Sequence, residues 1–282
     1  MTHDVEFTGA NGLKLFGIAH GPQSGQAVLL AHGGGQTHWA WRRTVKALAD
    51  KGFRAVAIDL RGHGQSQWAP DGNYHHVTFA RDIAAVAEQL GGKPAMVGAS
   101  LGGIAGMIAE GTLRPGSFSS LTLVDITSRP DPSGVERVTS FMAANVKDGF
   151  ATPEDAAASI SAYTPNRQKR GPSDSLDRYL RKGADGRFRW HWDPAFLDQV
   201  NGPRMRDNDE LPSAARGLRL PVHLIRGGSS DLVPVSAVAE FRQEVPHAEF
   251  TDIAGAGHMV VGDRNDSFSD AIITFLLVHR SD

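Results

Sequence analysis

The sequence predicts an α/β fold, a mostly parallel central sheet with helices on both faces, carrying a helical insertion as a cap. Three observations lead there. Short, unbroken apolar runs alternate with stretches whose apolar residues recur at helical spacing, and strands of that kind are buried on both faces under helices. The alternation stops after Asp125 and resumes at Pro221. The glycines, 32 of 282 residues, gather where the apolar runs end.

Taken in order, short strands are expected near Val5 to Thr8 and Lys14 to Ala19, then a buried strand at Ala27 to Ala31 ending in His32-Gly33-Gly34-Gly35. A helix from Trp39 to Lys51 follows, with Trp41, Val45, Leu48 and Ala49 on one face and Gly52 as its stop. The unit repeats as a strand at Arg54 to Ile58, a helix at Phe79 to Leu90, a strand at Ala95 to Gly98, a helix at Leu101 to Leu113 and a strand at Leu121 to Val124. From Ser128 to Arg216 the chain is rich in Arg, Asp, Pro and Ala and shows no strong strand pattern, so it reads as a helical insertion. The α/β pattern returns with a strand at Pro221 to Ile225, a helix at Val235 to Val245, a strand at Glu249 to Ile253 and a helix from Asn265 to His279. The expected organisation is a core of residues 1–127 and 217–282 and a cap of 128–216.

Composition removes several classes of function. With 29 Lys+Arg against 31 Asp+Glu the formal charge is −2, which argues against a nucleic-acid partner. The absence of cysteine excludes disulfides, thiolate metal sites and a cysteine nucleophile. The N-terminal residues show no basic segment followed by an apolar run, and no apolar stretch reaches the ~20 residues of a membrane span, so a cytoplasmic protein without a membrane partner is expected.

Ligands of an open parallel sheet bind beyond the carboxyl ends of the strands, and four such ends carry chemistry. Gly98-Ala99-Ser100-Leu101-Gly102 fits G-x-S-x-G between a strand and a helix, a turn so tight that the flanking positions must be nearly free of side chain while the serine hydroxyl stays exposed. Ser100 is the candidate nucleophile. Serine needs a base, and among twelve histidines His258, in Gly257-His258 after the last strand, has the right position. An imidazole in that role needs a carboxylate to fix its tautomer; Asp231, after Gly227-Gly228-Ser229-Ser230, is favoured, with Asp125 at the end of the preceding buried strand as the rival. The glycines after His32 let the backbone approach a substrate oxygen, so Gly34 N–H together with Leu101 N–H is the candidate oxyanion hole. Asp59-Leu60-Arg61-Gly62-His63-Gly64-Gln65-Ser66 reads chiefly as a structural turn, His63 included.

On these motifs, H-G-G-G at His32, D-x-R-G-x-G-x-S at Asp59, G-x-S-x-G at Gly98, G-x-x-D at Gly228 and G-H at Gly257, the sequence resembles the α/β-hydrolase fold superfamily. The resemblance implies a triad of Ser100, Asp231 and His258 in the superfamily's Ser, Asp, His order, no cofactor, and a cap where the insertion falls. It is similar to the branch of small esterases, lactonases, cofactor-free perhydrolases and carbon–carbon bond hydrolases. Superfamily members with an aspartate nucleophile are disfavoured because Ser100 holds that position. A small ester or lactone is the expected substrate, with perhydrolase or C–C hydrolase chemistry, or a slow-turnover receptor-like member, as alternatives.

Specificity resides in the cap and the pocket loops. Trp39, Trp190 and Trp192 are candidate substrate-binding residues, and Phe141, Met142, Tyr163 and Tyr179 are further large side chains able to wall a pocket. Between Pro165 and Trp190 eight Lys+Arg face three acids, which reads as a solvated face or, in the minority reading, as recognition of an anionic substrate.

Overall fold

The computed structural model describes residues 1–163, 176–200, 209–255 and 266–280. Its strands in chain order are β1 (His3–Thr8), β2 (Lys14–His20), β3 (Ala27–Ala31), β4 (Arg54–Ile58), β5 (Ala95–Ala99), β6 (Ser120–Val124), β7 (Leu180–Lys182), β8 (Phe188–Trp190), β9 (Val222–Gly227) and β10 (Glu249–Ile253). Its α-helices are α1 (Arg42–Asp50), α2 (His76–Gln89), α3 (Leu101–Ile108), α4 (Pro132–Ala143), α5 (Pro153–Tyr163), α6 (Ala195–Val200), α7 (Glu210–Gly217), α8 (Val235–Glu244) and α9 (Asp266–Val278).

Eight strands form one sheet in the order β1-β2-β4-β3-β5-β6-β9-β10. The pairings of β2 with β1 and with β4 are antiparallel, and all the others in this sheet are parallel. Period-two alternation sends Leu29, Ala31, Val56, Ile58 and Met96 to one face, against apolar residues of α2, α3, α7 and α8. Val28, Leu30, Ala55, Ala57 and Val97 go to the other face, against α1 and α9. Both faces are therefore covered, which is why β3 and β5 read as unbroken apolar runs.

From β3 the chain steps to β4 on one side and then to β5 on the other, so the direction of winding reverses between β3 and β5. The carboxyl ends of these two strands open a crevice at that switch point, where a ligand fits without displacing a crossover helix. His32 and Ser100 are the residues that follow them.

Three local differences from the sequence reading have physical causes. The first helix begins at Arg42, because Thr37 caps a tighter 3₁₀ turn over His38–Trp41 by accepting the Trp39 N–H. The helix after Ser100 is α-helical to Ile108 and ends in a π turn over Ala109–Leu113. The insertion also contains a hairpin, β7 with β8, extended by a bridge between Phe150 and Phe188. Three-residue strands are too short to show a period-two pattern in sequence. Among the described residues, no helix is long and apolar enough to cross a membrane.

Candidate active site

The turn from β5 into α3 is closed by contacts that admit only glycine at two positions. A Cβ on Gly98 would sit 2.5 Å from the Gly102 backbone, and one on Gly102 would sit 2.4 Å from the Ala31 carbonyl oxygen. Between them Ser100 adopts φ 45° and ψ −113°, a conformation costing about 1–3 kcal/mol that persists only where the surroundings impose it. The surroundings do so through hydrogen bonds from Ser100 N–H to Val124 O (3.1 Å), Gly102 N–H to His32 O (3.1 Å) and Ile104 N–H to Ser100 O (2.9 Å). Ser100 remains half-buried on the wall of a cavity. Leu101 opens α3, so its N–H has no carbonyl one turn behind it.

The loop after β3 passes directly over this turn, a Cβ on Gly33 falling 3.3 Å from Ser100 Cβ. Its peptide planes are held one by one. The Gly33 carbonyl accepts from His32 Nδ1–H (2.8 Å) and from Gln36 N–H (3.1 Å), and because a trans peptide points its N–H opposite its C=O, the Gly34 N–H is turned away from those donors. Gly33 N–H goes to Gln36 Oε1 (3.0 Å) and Gly35 N–H to His63 Nε2 (3.1 Å). Among the described residues no acceptor takes the Gly34 N–H. The sequence-predicted donors Gly34 and Leu101 thus flank the cavity wall that carries Ser100.

Three imidazoles underlie this loop. His32 also accepts the Leu60 N–H at Nε2 (3.0 Å), and His63 places its Nδ1–H on the Arg61 carbonyl (2.9 Å). His191, from the segment after β8, accepts the Gly64 N–H at Nδ1 (2.8 Å) and lays Nε2–H on the Gly35 carbonyl (3.2 Å). Each ring is used as one donor and one acceptor, which requires the neutral form. Burial pushes their pKa values down accordingly, to about 3 for His32, about 4 for His63 and about 3 for His191. The rest of the Asp59–Ser66 turn is structural in the same sense. Arg61 makes a two-pronged pair with Asp82 (2.6 and 2.7 Å), and Asp59 accepts the His38 and Gln65 N–H groups.

The two candidate acids differ in surroundings. Asp125, 1% exposed, accepts Gly227 N–H at Oδ1 (2.9 Å) and the Ser230 hydroxyl at Oδ2 (2.7 Å), bracing the loop after β9. Asp231, in that loop, has a partly exposed carboxylate whose Oδ2 is paired with the Arg137 guanidinium of α4. Its backbone packs so closely on α4 that a Cβ on Gly134 would sit 2.5 Å from the Asp231 carbonyl oxygen. The predicted base, His258, lies outside the described residues.

The cavity beside Ser100 has a volume of about 1210 Å³ and is walled by Phe141, Met142, Tyr163, Trp190, Trp192 and Phe196 near the glycine loop. Met142 and Phe196 stand over Gly34, and Phe141 stacks on Tyr163 at 4.2 Å. Tyr179 is also on the wall. Trp39 is not brought to the cavity. Its ring is covered by the Arg178 guanidinium at 3.7 Å from the centroid, with Arg42 at 5.5 Å, so a large aromatic near the glycine loop in sequence serves here as a cation platform. The residues missed in sequence are Phe196 and His191, both from the insertion. The Asp-Pro pair at Asp193, whose carboxylate accepts Ala195 N–H (3.0 Å), marks the start of the helix bearing Phe196.

Several described cations of the insertion have other partners. Arg181 covers Trp68 at 4.1 Å, Arg189 pairs with Asp185 at 2.7 Å, and Arg187 reaches the carbonyls of Asp148 and Gly149. Arg167, Lys169 and Arg170 lie outside the described residues. Of the described residues lining the cavity, Arg129 is the only Lys or Arg, against Asp131, Glu136, Glu210 and Glu240, and Arg129 is itself paired with Glu244 at 3.3 Å.

Comparison with known proteins adds three findings. A family model for the alpha/beta hydrolase fold matches residues 26–264. Curated relatives include an esterase of Mycobacterium tuberculosis, 28% identical over 251 residues that span 86% of this chain and 79% of the relative. They also include an sn-1-specific diacylglycerol lipase of Mus musculus, 27% identical over 278 residues that span 93% and 84%. Among solved structures, an E-2-(acetamidomethylene)succinate hydrolase superposes with a TM-score of 0.83 at 25% identity, covering 98% of this chain and 99% of the other.

Proposed function

Since the chain belongs to the α/β-hydrolase fold family, we propose that it is a serine hydrolase that cleaves an uncharged carboxylic ester or lactone through an acyl-enzyme. The observation that carries the reading is Ser100 at φ 45° between Gly98 and Gly102, facing a glycine loop whose Gly34 N–H has no acceptor among the described residues. Strain at a non-glycine residue persists only where the surrounding contacts impose it, and such residues cluster at functional sites.

The Ser100 hydroxyl adds to the substrate carbonyl carbon while His258 takes its proton. The oxyanion that forms lies between the N–H groups of Gly34 and Leu101, and such donors are worth about 2.7–4 kcal/mol each because they are in place before charge develops. Collapse expels the alcohol, which takes the proton from His258, and water repeats the sequence on the acyl-enzyme. Asp231 orients His258, and the same carboxylate is paired with Arg137. Residues 128–216 act as a cap that excludes water and shapes the acyl pocket.

The lining supports an uncharged acyl group. Its walls near the nucleophile are apolar, its charged residues are mainly acids, and the cap cations Arg178, Arg181 and Arg189 are engaged elsewhere. A carboxylate entering there would be desolvated without a partner. The test compares kcat/KM for 4-nitrophenyl butyrate and mono-4-nitrophenyl succinate, acyl groups of nearly equal length that differ in charge. The butyrate is expected to be favoured by at least about tenfold, equivalent to about 1.4 kcal/mol. Equal or faster turnover of the succinate would replace the uncharged-acyl reading with an anion-binding one.

A further inference from the structure

His191 lies 156 residues from Gly35 in sequence, on a segment that belongs to the proposed cap, yet it is 3% exposed and bonded to two core loops at once. Its neighbours repeat the attachment. Asp193 N–H donates to Gly62 O at 2.9 Å, and the Asp193 carboxylate accepts the Tyr74 hydroxyl at 2.7 Å. Four hydrogen bonds thus pin residues 191–193 to the loop after β4 and to the glycine loop after β3.

The bond to Gly35 has a particular consequence. The Gly35 residue is gripped on both sides, its N–H by His63 Nε2 and its carbonyl by His191 Nε2–H, and the two rings lie 6.0 Å apart, centroid to centroid. Gly35 has φ 73°, and Gly34 precedes it without a side chain, so the backbone there has wide conformational freedom unless held. His32 and Gln36 hold the peptide on the Gly33 side. His63 holds the next one, and His191 is the anchor beyond it.

The geometry points to His191 as a positioning residue that transmits seating of the cap to the oxyanion donor: when residues 191–193 are docked, Gly35 is fixed and the Gly34 N–H is held in place for the oxyanion. This rests on the serine-hydrolase reading of the same site. His191 touches no reacting atom in that mechanism. Its effect is on whether the donor is in place when charge develops, so it belongs to kcat rather than to substrate affinity.

The experiment uses the full chain with His191→Phe, His191→Gln and His191→Asn. Glutamine can present an amide N–H at the position of Nε2 and so keep the donor to Gly35. Asparagine can present only an atom at the position of Nδ1 and so keeps the contact with Gly64. Two readouts are taken, kcat and KM for a 4-nitrophenyl ester, and amide hydrogen exchange across residues 32–36. Expected for His191→Phe are a kcat lowered at least tenfold with KM within about threefold, and faster exchange in the glycine loop. His191→Gln should recover a substantial part of kcat at the same melting temperature, and His191→Asn should recover less. Unchanged exchange across 32–36 in His191→Phe overturns the inference whether or not the wild type hydrolyses esters, while a wild type inert on every ester, with exchange responding as expected, overturns only the hydrolase reading. Should the phenylalanine variant not fold, equal kcat for the glutamine and asparagine variants, or asparagine ahead, is the overturning result.

Discussion

The Asp125 carboxylate accepts the Ser230 hydroxyl at 2.7 Å, one residue before Asp231 in the chain. One acid therefore braces the loop that carries the other. With Gly227 N–H on its second oxygen, Asp125 is buried and engaged in fixing backbone, whereas Asp231 keeps a partly exposed carboxylate.

This difference separates the two acids experimentally. Asp231→Asn should lower kcat by about three to four powers of ten with little change in stability, since an amide cannot hold the imidazole in the productive tautomer. Asp125→Asn should show the opposite balance, a loss of about 1–3 kcal/mol in stability and a smaller effect on kcat. Urea midpoints and kcat measured on both variants decide it, and a larger kcat loss in Asp125→Asn would move the acid to the end of β6.

Acid should destabilise the fold through the histidines beneath the glycine loop. Their folded pKa values, about 3 to 4, lie below the value near 6.5 of an exposed imidazole, so the unfolded chain takes up protons that the folded chain refuses. Their contribution is present above about pH 6.5 and is lost as pH falls from there toward 3 to 4. At pH 5.5, below the ordinary imidazole value but above the folded ones, each ring lowers stability by on the order of 1 kcal/mol. Urea unfolding at pH 7.5 and 5.5 measures it, and identical midpoints would rule out buried neutral imidazoles.

Much of this arrangement was legible in sequence because it rests on local constraints. A tight strand-to-helix turn demands glycine at Gly98 and Gly102, and strands covered on both faces demand apolar runs, so Ser100 and the strands β3 and β4 fall where the pattern puts them. What escaped depends on contacts between distant residues. His191 meets Gly64 across 127 residues, and nothing in its neighbourhood marks it off from an ordinary histidine of the insertion. Trp39 sits beside the glycine loop in sequence, but Arg178 draws its ring to another surface. The hairpin of β7 and β8 is too short to leave a periodic trace.

Trp39 and Trp190 should consequently respond differently to truncation. Trp190 packs edge-on to Phe150 at 5.0 Å and lies on the cavity wall. Trp190→Ala is expected to cost about 3–5 kcal/mol of stability and to shift the preferred acyl length, while Trp39→Ala should leave acyl preference unchanged. Relative kcat/KM across a C2 to C10 ester series reads this out, and an altered profile in Trp39→Ala would return it to the substrate site.

The backbone contact at the turn gives a purely steric prediction. Gly102→Ala would drive a methyl group to 2.4 Å from the Ala31 carbonyl oxygen, a neighbour that cannot rotate away. A loss of about 3 kcal/mol or more, or failure to fold, is expected. A variant as stable as the wild type would show that the turn is looser than this packing implies.

The nucleophile is tested most directly by kcat/KM of Ser100→Ala on a 4-nitrophenyl ester, in protein whose melting temperature matches the wild type. The hydroxyl is the reacting group, and alanine occupies the same turn with one atom fewer, so turnover should fall by at least about 10³-fold without loss of fold. Turnover within tenfold of the wild type would mean that Ser100 is not the nucleophile, however strained its backbone.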